Sequence, residues 1–269
     1  MSDTGPVTLR ANAKLTRSLR MTGVRADGYH LLDAEMVSLD LHDLVTIDPT
    51  GSGITVTGPF ADGVPTDSSN LVQGALEMLG RTAGVRIDKR IPHGGGLGGG
   101  STDAAAVLHW GGFGIDPGSL AIASRLGADV PFCLVGGRAR VRGIGEVVDP
   151  VPHVARHIIL IIPPLGVSTP AAYRAWDELG GPTSSGANDL EAAALEVEPE
   201  MRRWRDLIAD ALDEPPILAG SGATWFTERR FESDHERDNA LGDIVDEGAR
   251  IVITQTTAEP FAVVTDAAT

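Results

Sequence analysis

The stretch Asp-Lys-Arg-Ile-Pro-His-Gly-Gly-Gly-Leu-Gly-Gly-Gly-Ser-Thr-Asp-Ala-Ala-Ala-Val-Leu, residues 88–108, is the most informative part of the chain. Six of the seven residues 94–100 are glycine, and an alternating strand pattern at 85–91 precedes them. Ser101-Thr-Asp is predicted to begin an alanine-rich helix, because Ser and Asp oxygens accept hydrogen bonds from a helix's first N–H groups. A glycine turn that leads into a helix N-terminus directs N–H groups and the positive end of the helix dipole at one point. We therefore predict a phosphate-binding loop rather than a flexible linker.

Two well-known phosphate loops do not fit this segment. The glycines satisfy the G-x-G-x-x-G pattern, but dinucleotide binding also needs an acidic residue about 20 positions further on, after a second strand. Asp116 lies near that distance but sits in a Gly-Ile-Asp-Pro-Gly turn, which disfavours this interpretation. A Walker A loop needs Lys after its last glycine, whereas Ser101 follows Gly100, so that loop is excluded.

Strand patterns dominate the first half of the sequence and helical patterns the second, which predicts an α+β protein rather than regular βαβ repeats. Strands are predicted at residues 7–9, 35–41, 45–47, 54–57, 85–91, 138–142, 158–162, 223–227 and 251–256. Helices are predicted at residues 70–81, 101–110, 119–126, 170–179, 190–195, 200–212 and 236–247. Proline punctuation near 150–156 predicts two domains, 1–153 and 154–269.

Composition excludes several classes of protein. The 269 residues carry a formal net charge of −15 at pH 7, so we expect no nucleic-acid partner, because nucleic-acid backbones are neutralised by clustered Lys and Arg. Residues 1–9 lack a signal-peptide pattern, and the longest apolar stretch, 158–164, is too short to span a bilayer. Cys133 is the single cysteine, which excludes an internal disulfide and favours a reducing compartment. We expect a soluble, cytoplasmic protein with no membrane partner.

Lysine is rare in this chain. Of the 22 basic residues only Lys14 and Lys89 are lysines, and the other 20 are arginines. A lysine ammonium group is a compact point charge that suits a crowded polar site better than the wide guanidinium fork does. Composition alone assigns neither lysine a role.

Three segments together resemble the motifs of the GHMP kinase superfamily, which contains galactokinase, homoserine kinase and mevalonate kinase. Pro92, the Gly-Leu-Gly at 96–98 and Ser101-Thr resemble the second motif, with Thr102 in place of a second serine. The segment Ala-Asn-Ala-Lys-Leu at 11–15 resembles the first motif, and Leu-Ala-Gly-Ser-Gly-Ala-Thr at 218–224 resembles the third. A lone Gly-Ser-Gly is typical of an ordinary turn, so the indication comes from the order and spacing of all three.

The resemblance implies a two-domain GHMP kinase fold with the active site in the cleft between an N-terminal ATP-binding domain and a C-terminal domain. It also implies an ATP-dependent kinase whose Mg²⁺ arrives with ATP and has few protein ligands, so we expect no dedicated metal-ligand set. The residues expected to bind ATP are Pro92, His93, Gly94, Gly95, Gly96, Leu97, Gly98, Gly99, Gly100, Ser101, Thr102, Lys89 and Asn70.

Further segments resemble one branch of the superfamily, the kinases of 4-diphosphocytidyl-2-C-methyl-D-erythritol in non-mevalonate isoprenoid biosynthesis. They begin at residues 25, 69, 89, 126, 166 and 188, and read Arg-Ala-Asp-Gly-Tyr-His, Ser-Asn-Leu-Val, Lys-Arg-Ile-Pro, Leu-Gly-Ala-Asp-Val-Pro-Phe, Gly-Val-Ser-Thr-Pro and Asn-Asp-Leu. The resemblance implies a small-molecule cytidyl diphosphate substrate phosphorylated at its 2-position, with Asp129 as general base assisted by Lys14. The residues expected to bind substrate are Tyr29, His30, Tyr173, Thr16, Asn188, Gly220, Ser221 and Gly222.

Four positions depart from the family pattern: Asn12, Thr16, His93 and Trp225. The tail after the third motif also matches poorly. Two other interpretations stay open: a GHMP kinase for homoserine or mevalonate, which the Gly-Tyr-His segment disfavours, and a non-catalytic nucleotide-binding protein on the same fold. The oligomeric state, monomer or homodimer, does not follow from the sequence.

Overall fold

The structure is a computed structural model that describes residues 5–264. Its elements in chain order are β1 (Val7–Val24), β2 (His30–Asp48), β3 (Ile54–Thr57), α1 (Leu71–Leu79), β4 (Gly84–Asp88), α2 (Gly99–Trp110), α3 (Pro117–Ala123), α4 (Val130–Val135), β5 (Arg138–Gly143), β6 (Val147–Pro150), β7 (His157–Ile162), α5 (Thr169–Glu178), α6 (Glu191–Val197), α7 (Glu200–Leu212), β8 (Ile217–Leu218), β9 (Trp225–Thr227), α8 (Asp234–Asp246), β10 (Arg250–Thr257) and β11 (Phe261–Val263). The mixture of helices and mainly antiparallel strands confirms the predicted α+β class.

The strands form two groups that meet at one short junction. In the first group β2 pairs with β1, β4 and β5, while β11, β3 and β6 extend the sheet. In the second group the order is β10-β7-β9-β8. The junction is the pairing of β10 with β2, Thr256 with Leu39 and Thr257 with Ser38. The predicted boundary at residue 153 falls between β6 and β7, but β11, later in the chain, pairs with β1 of the first group. The division into two domains stays a prediction.

The long hairpin of β1 and β2 is the largest difference from the sequence prediction, which recognised only residues 7–9 of β1. Register shifts at Asn12/Lys14, Thr16/Ser18 and Met21/Gly23 interrupt the alternation of side chains. Asn12, Lys14 and Thr16 are also buried polar residues. A strand that carries bulges and buried polar groups does not show the alternating apolar pattern from which strands are predicted. Bulges commonly lie beside functional sites.

Helix α2 runs through the core of the first group. Its residues from Thr102 to Leu108 are all buried, and alanines at 104, 105 and 106 let α1, α4 and β1 approach it closely. The helix begins at Gly99, two residues earlier than predicted, and its N-cap is Gly98 with φ of 71°. No side chain caps it. The predicted capping by Ser101 and Asp103 was therefore wrong, because the Asp103 carboxylate is bonded to the Lys89 ammonium group instead.

The sequence prediction also omitted some short elements, including β6, β8, β11 and α4, which lack enough residues for a clear periodicity. A second core lies between the sheet of the second group and helices α6, α7 and α8, and Trp225 is fully buried within it. Trp225, one of the four residues that depart from the family pattern, thus fills the core behind the third motif. Among residues 5–264 no helix is long and apolar enough to cross a membrane.

The tail of the chain packs against the first motif. Strand β11 pairs with β1, Ala11 opposite Phe261. The Asn12 side chain donates to the carbonyl oxygen of Glu259 at 2.7 Å. A methyl group at Gly136, which has φ of 65°, would lie 2.2 Å from Cβ of Pro260. The turn between β10 and β11 therefore leaves no room for a side chain at the end of α4.

We expect Gly136→Ala to lower the free energy of unfolding more than Gly112→Ala. Both glycines have a positive φ, Gly136 in a region that is essentially restricted to glycine, and an alanine at either position costs roughly 1–3 kcal/mol of backbone strain. A methyl group at Gly112 has no atom within 4 Å, whereas one at Gly136 would collide with Pro260. Urea denaturation of the two variants beside the parent chain measures the difference. Equal losses would mean that the tail does not pack as described.

Candidate active site

The Lys14 ammonium group and the Asp129 carboxylate form an ion pair with 3.2 Å between Nζ and Oδ2. The Lys14 side chain is 7 % exposed and that of Asp129 is 30 % exposed, so the lysine is buried while the carboxylate remains partly accessible. Lys14 also donates to the Thr16 hydroxyl at 3.3 Å. Thr16, which departs from the family pattern, thus provides a buried hydroxyl that accepts a hydrogen bond from Lys14.

Asp129 precedes a helix and does not cap it. Asp129 occupies the N-cap position of α4, but its backbone is in the α region. Its side chain makes no hydrogen bond to the first N–H groups of the helix. Pro131 in the first turn has no N–H group to satisfy. The carboxylate is therefore free to bond with Lys14. It also acts on Tyr173, because burial first, and then the charge of Asp129, raise the pKa of the Tyr173 phenol to about 12.

The glycine loop lies against the first motif. Its Leu97 carbonyl oxygen accepts from the backbone N–H of Lys14 at 3.0 Å. A methyl group at Gly98 would lie 2.6 Å from Cγ of Lys14. In the first turn of α2, the Thr102 hydroxyl donates to the carbonyl oxygen of Asn12 at 2.8 Å. The expected ATP-binding loop and the Lys14–Asp129 pair are therefore neighbours.

The third motif meets the glycine loop from the other side. A methyl group at Gly96 would lie 2.7 Å from the carbonyl oxygen of Gly222. One at Gly95 would lie 2.9 Å from Oγ1 of Thr224, and one at Gly220 would lie 3.7 Å from Nζ of Lys14. All three segments that resemble GHMP kinase motifs thus converge on one place, and a side chain at Gly96 would collide with the backbone of the third motif.

Asn188 holds the third motif in place. Its side-chain amide donates to the carbonyl oxygens of Leu218 and Gly220, at 2.9 and 2.6 Å, and its oxygen accepts from the N–H of Leu190. The neighbouring Ser221 hydroxyl bonds to the hydroxyl of Thr169, at the start of α5, at 2.7 Å. A direct substrate contact by Asn188 stays a prediction, as do those by Gly220, Ser221 and Gly222.

A cavity of about 430 Å³ is lined partly by the segment that leads into Asp129. Its lining includes Tyr29, His30, Tyr173, Gly127 and Ala128, and the last two directly precede Asp129. The His30 and Tyr173 rings lie 4.9 Å apart between centroids, tilted by 40°. Three of the residues expected to bind substrate thus line one cavity whose wall leads to Asp129.

His30 and Tyr29 differ in how firmly they are held. The Nε2 atom of His30 lies 2.8 Å from Oδ1 of Asp177, at the end of α5. The edge of the Trp176 ring packs against the imidazole. Tyr29 is 57 % exposed and carries the Arg25 guanidinium group over its ring, at 5.3 Å from the centroid. His30 is therefore fixed in orientation, whereas Tyr29 stands at the rim of the cavity.

Lys89 and Asn70 make contacts within the protein. Lys89 is 3 % exposed, and its ammonium group bonds to the carboxylates of Asp43 and Asp103. Asn70 caps α1 by accepting from the N–H of Val72 and donates to the carbonyl oxygen of Pro65. Contact of these two side chains with ATP stays a prediction.

The remaining candidates lie on the surface of the loop or behind it. His93, Gly94 and Gly100 are exposed, Ser101 is half-buried and Pro92 is buried. Cys133 is buried behind the first turn of α2, and burial raises the pKa of its thiol, which suits a core residue and not a nucleophile.

The structure also brings together residues that the sequence reasoning did not assign to the site: Asp43, Asp103, Asp177 and Thr224. Asp103 belongs to the quoted glycine segment, and Thr224 to the third motif. Asp43 and Asp177 carry no local signal, because their partners lie 46 and 147 positions away along the chain.

Comparison with known proteins agrees with this geometry. The family profile of the GHMP kinases N terminal domain matches residues 70–137. The 4-diphosphocytidyl-2-C-methyl-D-erythritol kinase of Paracoccus denitrificans is 38% identical over 235 residues, which cover 80% of this chain and 84% of that protein.

Two solved structures have a similar fold. A crystal structure of 4-(cytidine 5'-diphospho)-2C-methyl-D-erythritol kinase superposes with a TM-score of 0.71 at 30% identity, over 94% of this chain and 100% of that chain. Homoserine kinase from Cytophaga hutchinsonii superposes with a TM-score of 0.64 at 18% identity, over 98% and 99% of the two chains, and this supports the fold alone. The chain therefore belongs to the GHMP kinase superfamily and, within it, to the family of 4-diphosphocytidyl-2-C-methyl-D-erythritol kinases.

Proposed function

We propose that the chain transfers the γ-phosphoryl group of ATP to the 2-position hydroxyl of 4-diphosphocytidyl-2-C-methyl-D-erythritol, a step in non-mevalonate isoprenoid biosynthesis. The observation that carries the proposal is the position of the Lys14–Asp129 ion pair. The glycine loop packs against Lys14, and Gly127 and Ala128, which directly precede Asp129, line the cavity that also contains His30 and Tyr173. A phosphate donor and a hydroxyl acceptor bound at these two places would meet at the pair.

Phosphoryl transfer depends mainly on positioning and on stabilising charge around the transferred group. In the proposed reaction Asp129 accepts the proton of the acceptor hydroxyl while the hydroxyl oxygen forms a bond to the γ-phosphorus. The bond from that phosphorus to the bridging oxygen of ADP breaks, and ADP leaves with the electron pair. Lys14 offsets the negative charge between the carboxylate and the phosphates and orients the hydroxyl.

The glycine loop fits a phosphate group. Gly98 caps α2 without a side chain, so no side-chain oxygen competes with an anion for the first N–H groups of the helix. A methyl group at Gly94 would have no atom within 4 Å, so this side of the loop is open. We assign the ATP phosphates to residues 94–102.

Mg²⁺ enters the proposal as a partner of ATP. Residues 5–264 contain no group of three or more His, Cys, Asp or Glu side chains that could hold a metal ion. The ATP phosphates would therefore supply most ligands, and the ion would neutralise charge on the transferred group.

We also propose that the enzyme is cytoplasmic, since its one cysteine is buried and free.

The acceptor and the base are tested by one set of assays. We expect Asp129→Asn to bind ATP as the parent enzyme does and to lose about 10²–10⁴-fold in kcat, because the amide cannot take the proton. The measurements are ADP release with the cytidyl substrate and calorimetric titration with ATP. Asp116→Asn, the same exchange at an exposed helix cap, is the matched control and should keep full turnover.

Three results would contradict parts of this proposal. Full turnover by Asp129→Asn would remove Asp129 as the base. Turnover of homoserine or mevalonate without turnover of the cytidyl substrate would assign a different acceptor. ATP binding by the parent chain without turnover of any of the three acceptors would indicate a non-catalytic nucleotide-binding protein.

We propose that Tyr173 and His30 hold the cytosine base. Tyr173→Ala should raise KM for the cytidyl substrate about 5- to 150-fold, the loss expected for one stacked base, and leave KM for ATP within a factor of two. Tyr173→Phe keeps the ring and should raise KM for that substrate far less than the alanine variant. Equal effects of the two variants would show that the hydroxyl group, and not the stacked ring, is what the substrate needs.

A further inference from the structure

Beneath the glycine loop lies a buried triad of charged side chains, Asp43, Lys89 and Asp103, exposed by 0, 3 and 2 % respectively. The Lys89 ammonium group bonds to Oδ2 of Asp43 and to Oδ2 of Asp103, the latter at 2.8 Å. The proposed reaction uses none of the three. Burying a charged group is costly unless it is paired, so each of the three depends on its partners.

The triad connects the two ends of the glycine loop. The other oxygen of Asp43, Oδ1, accepts from the backbone N–H groups of Arg90 and Ile91, at 2.5 and 2.8 Å. These two residues lead into the loop, whereas Asp103 lies in α2, which leaves it. Lys89 bridges the two carboxylates, so the distance across the base of the loop is set by three side chains and not by the glycines themselves.

The Lys89 ammonium group also supports the loop from below. A methyl group at Gly99, the first residue of α2, would lie 2.9 Å from Nζ of Lys89. The other lysine, Lys14, packs in the same way against Gly98. Both lysines of a chain with 20 arginines therefore lie against the first turn of one helix. A guanidinium fork is wider than an ammonium group and would need space that Gly99 does not leave.

The triad is poorly suited to stabilising the fold. It contains two carboxylates and one ammonium group, and Oδ1 of Asp103 is buried without a hydrogen-bond partner among the described residues. Burial raises the pKa of Asp103 to about 7, against the charge of Lys89, and the charge of Asp43 adds to the rise. Buried ion pairs seldom add net stability, and one unmatched charge makes this less favourable still. The three side chains are better suited to fixing the positions of the two ends of the glycine loop than to stabilising the fold.

We propose that Asp43, Lys89 and Asp103 are positioning residues for ATP: the triad fixes the two ends of the glycine loop, and with them the first N–H groups of α2, without touching the nucleotide. The inference rests on the proposed function, because it needs the loop to hold phosphates. It differs from the sequence expectation that Lys89 contacts ATP directly.

Two variants test the triad. Asp103→Ala removes the bond between Lys89 and the α2 end of the glycine loop, and it leaves the Lys89–Asp43 ion pair intact. Lys89→Arg keeps the positive charge but places a wider guanidinium group against Gly99. For each we expect the dissociation constant of ATP, measured by calorimetry, and KM for ATP to rise about tenfold, the loss equivalent to one charge-assisted hydrogen bond. KM for the cytidyl substrate should stay within a factor of two.

The matched control is Asp88→Asn, which removes a carboxylate next to Lys89 in sequence but on the surface, where it pairs with Arg90. It should bind ATP as the parent enzyme does. A triad that only supported the fold would lower the melting temperature or the active fraction and leave both KM values unchanged. Wild-type ATP affinity in Asp103→Ala would overturn the proposal, even if Lys89→Arg does not fold.

Failure of the proposed function gives a different result. A parent chain that binds ATP but does not turn over the cytidyl substrate would contradict the acceptor assignment, while calorimetry of the variants would still test the triad. A parent chain that does not bind ATP would contradict both.

Discussion

The close approach of three backbone turns around the Lys14 side chain is the constraint on which the rest of the structure depends. The glycine loop touches its Cγ atom, the turn at Gly220 lies near its Nζ atom, and Asp129 pairs with its charge. A buried ammonium group is costly unless it is paired. Three features bring these partners close to Lys14. They are the bulges of β1, the start of α2 without a side-chain cap, and the hydrogen bonds of the Asn188 side chain to the third motif.

Burial and exposure divide the candidate site into two parts. The glycine-loop side, to which we assign the ATP phosphates, is built from closely packed backbone turns and from buried charges. The cavity side is built from aromatic rings at the ends of β2 and α5, with Tyr29 at an exposed rim. Because α5 belongs to the second half of the chain and β2 to the first, the contact between His30 and Asp177 joins the two halves.

The sequence was sufficient to predict the α+β class, the glycine loop that leads into a helix and most regular helices, because these depend on local periodicity and on glycine; phosphate binding by the loop stays a proposal. The family resemblance added Lys14 and Asp129, which no local pattern connects; the structure brings them to 3.2 Å, and their catalytic roles stay proposals. The extent of β1 was not predictable, because its polar residues are buried by partners distant in sequence. The same reason hid Asp43, whose role depends on a lysine 46 residues away. Asp103 was visible but misassigned, since a first-turn aspartate usually caps its helix.

The return of the tail to the first sheet has a consequence for biosynthesis. While the ribosome is still making the second half of this sequence, the outer edge of β1 has no partner, because β11 follows the other ten strands along the described part of the chain. The turn that anchors Asn12, next to Lys14 in the first motif, arrives equally late. The nascent N-terminal half therefore exposes an open strand edge of the kind that pairs with other chains. Activity and protection from aggregation would then be acquired together, once residues 259–263 have been made, and a chain terminated before them would have neither.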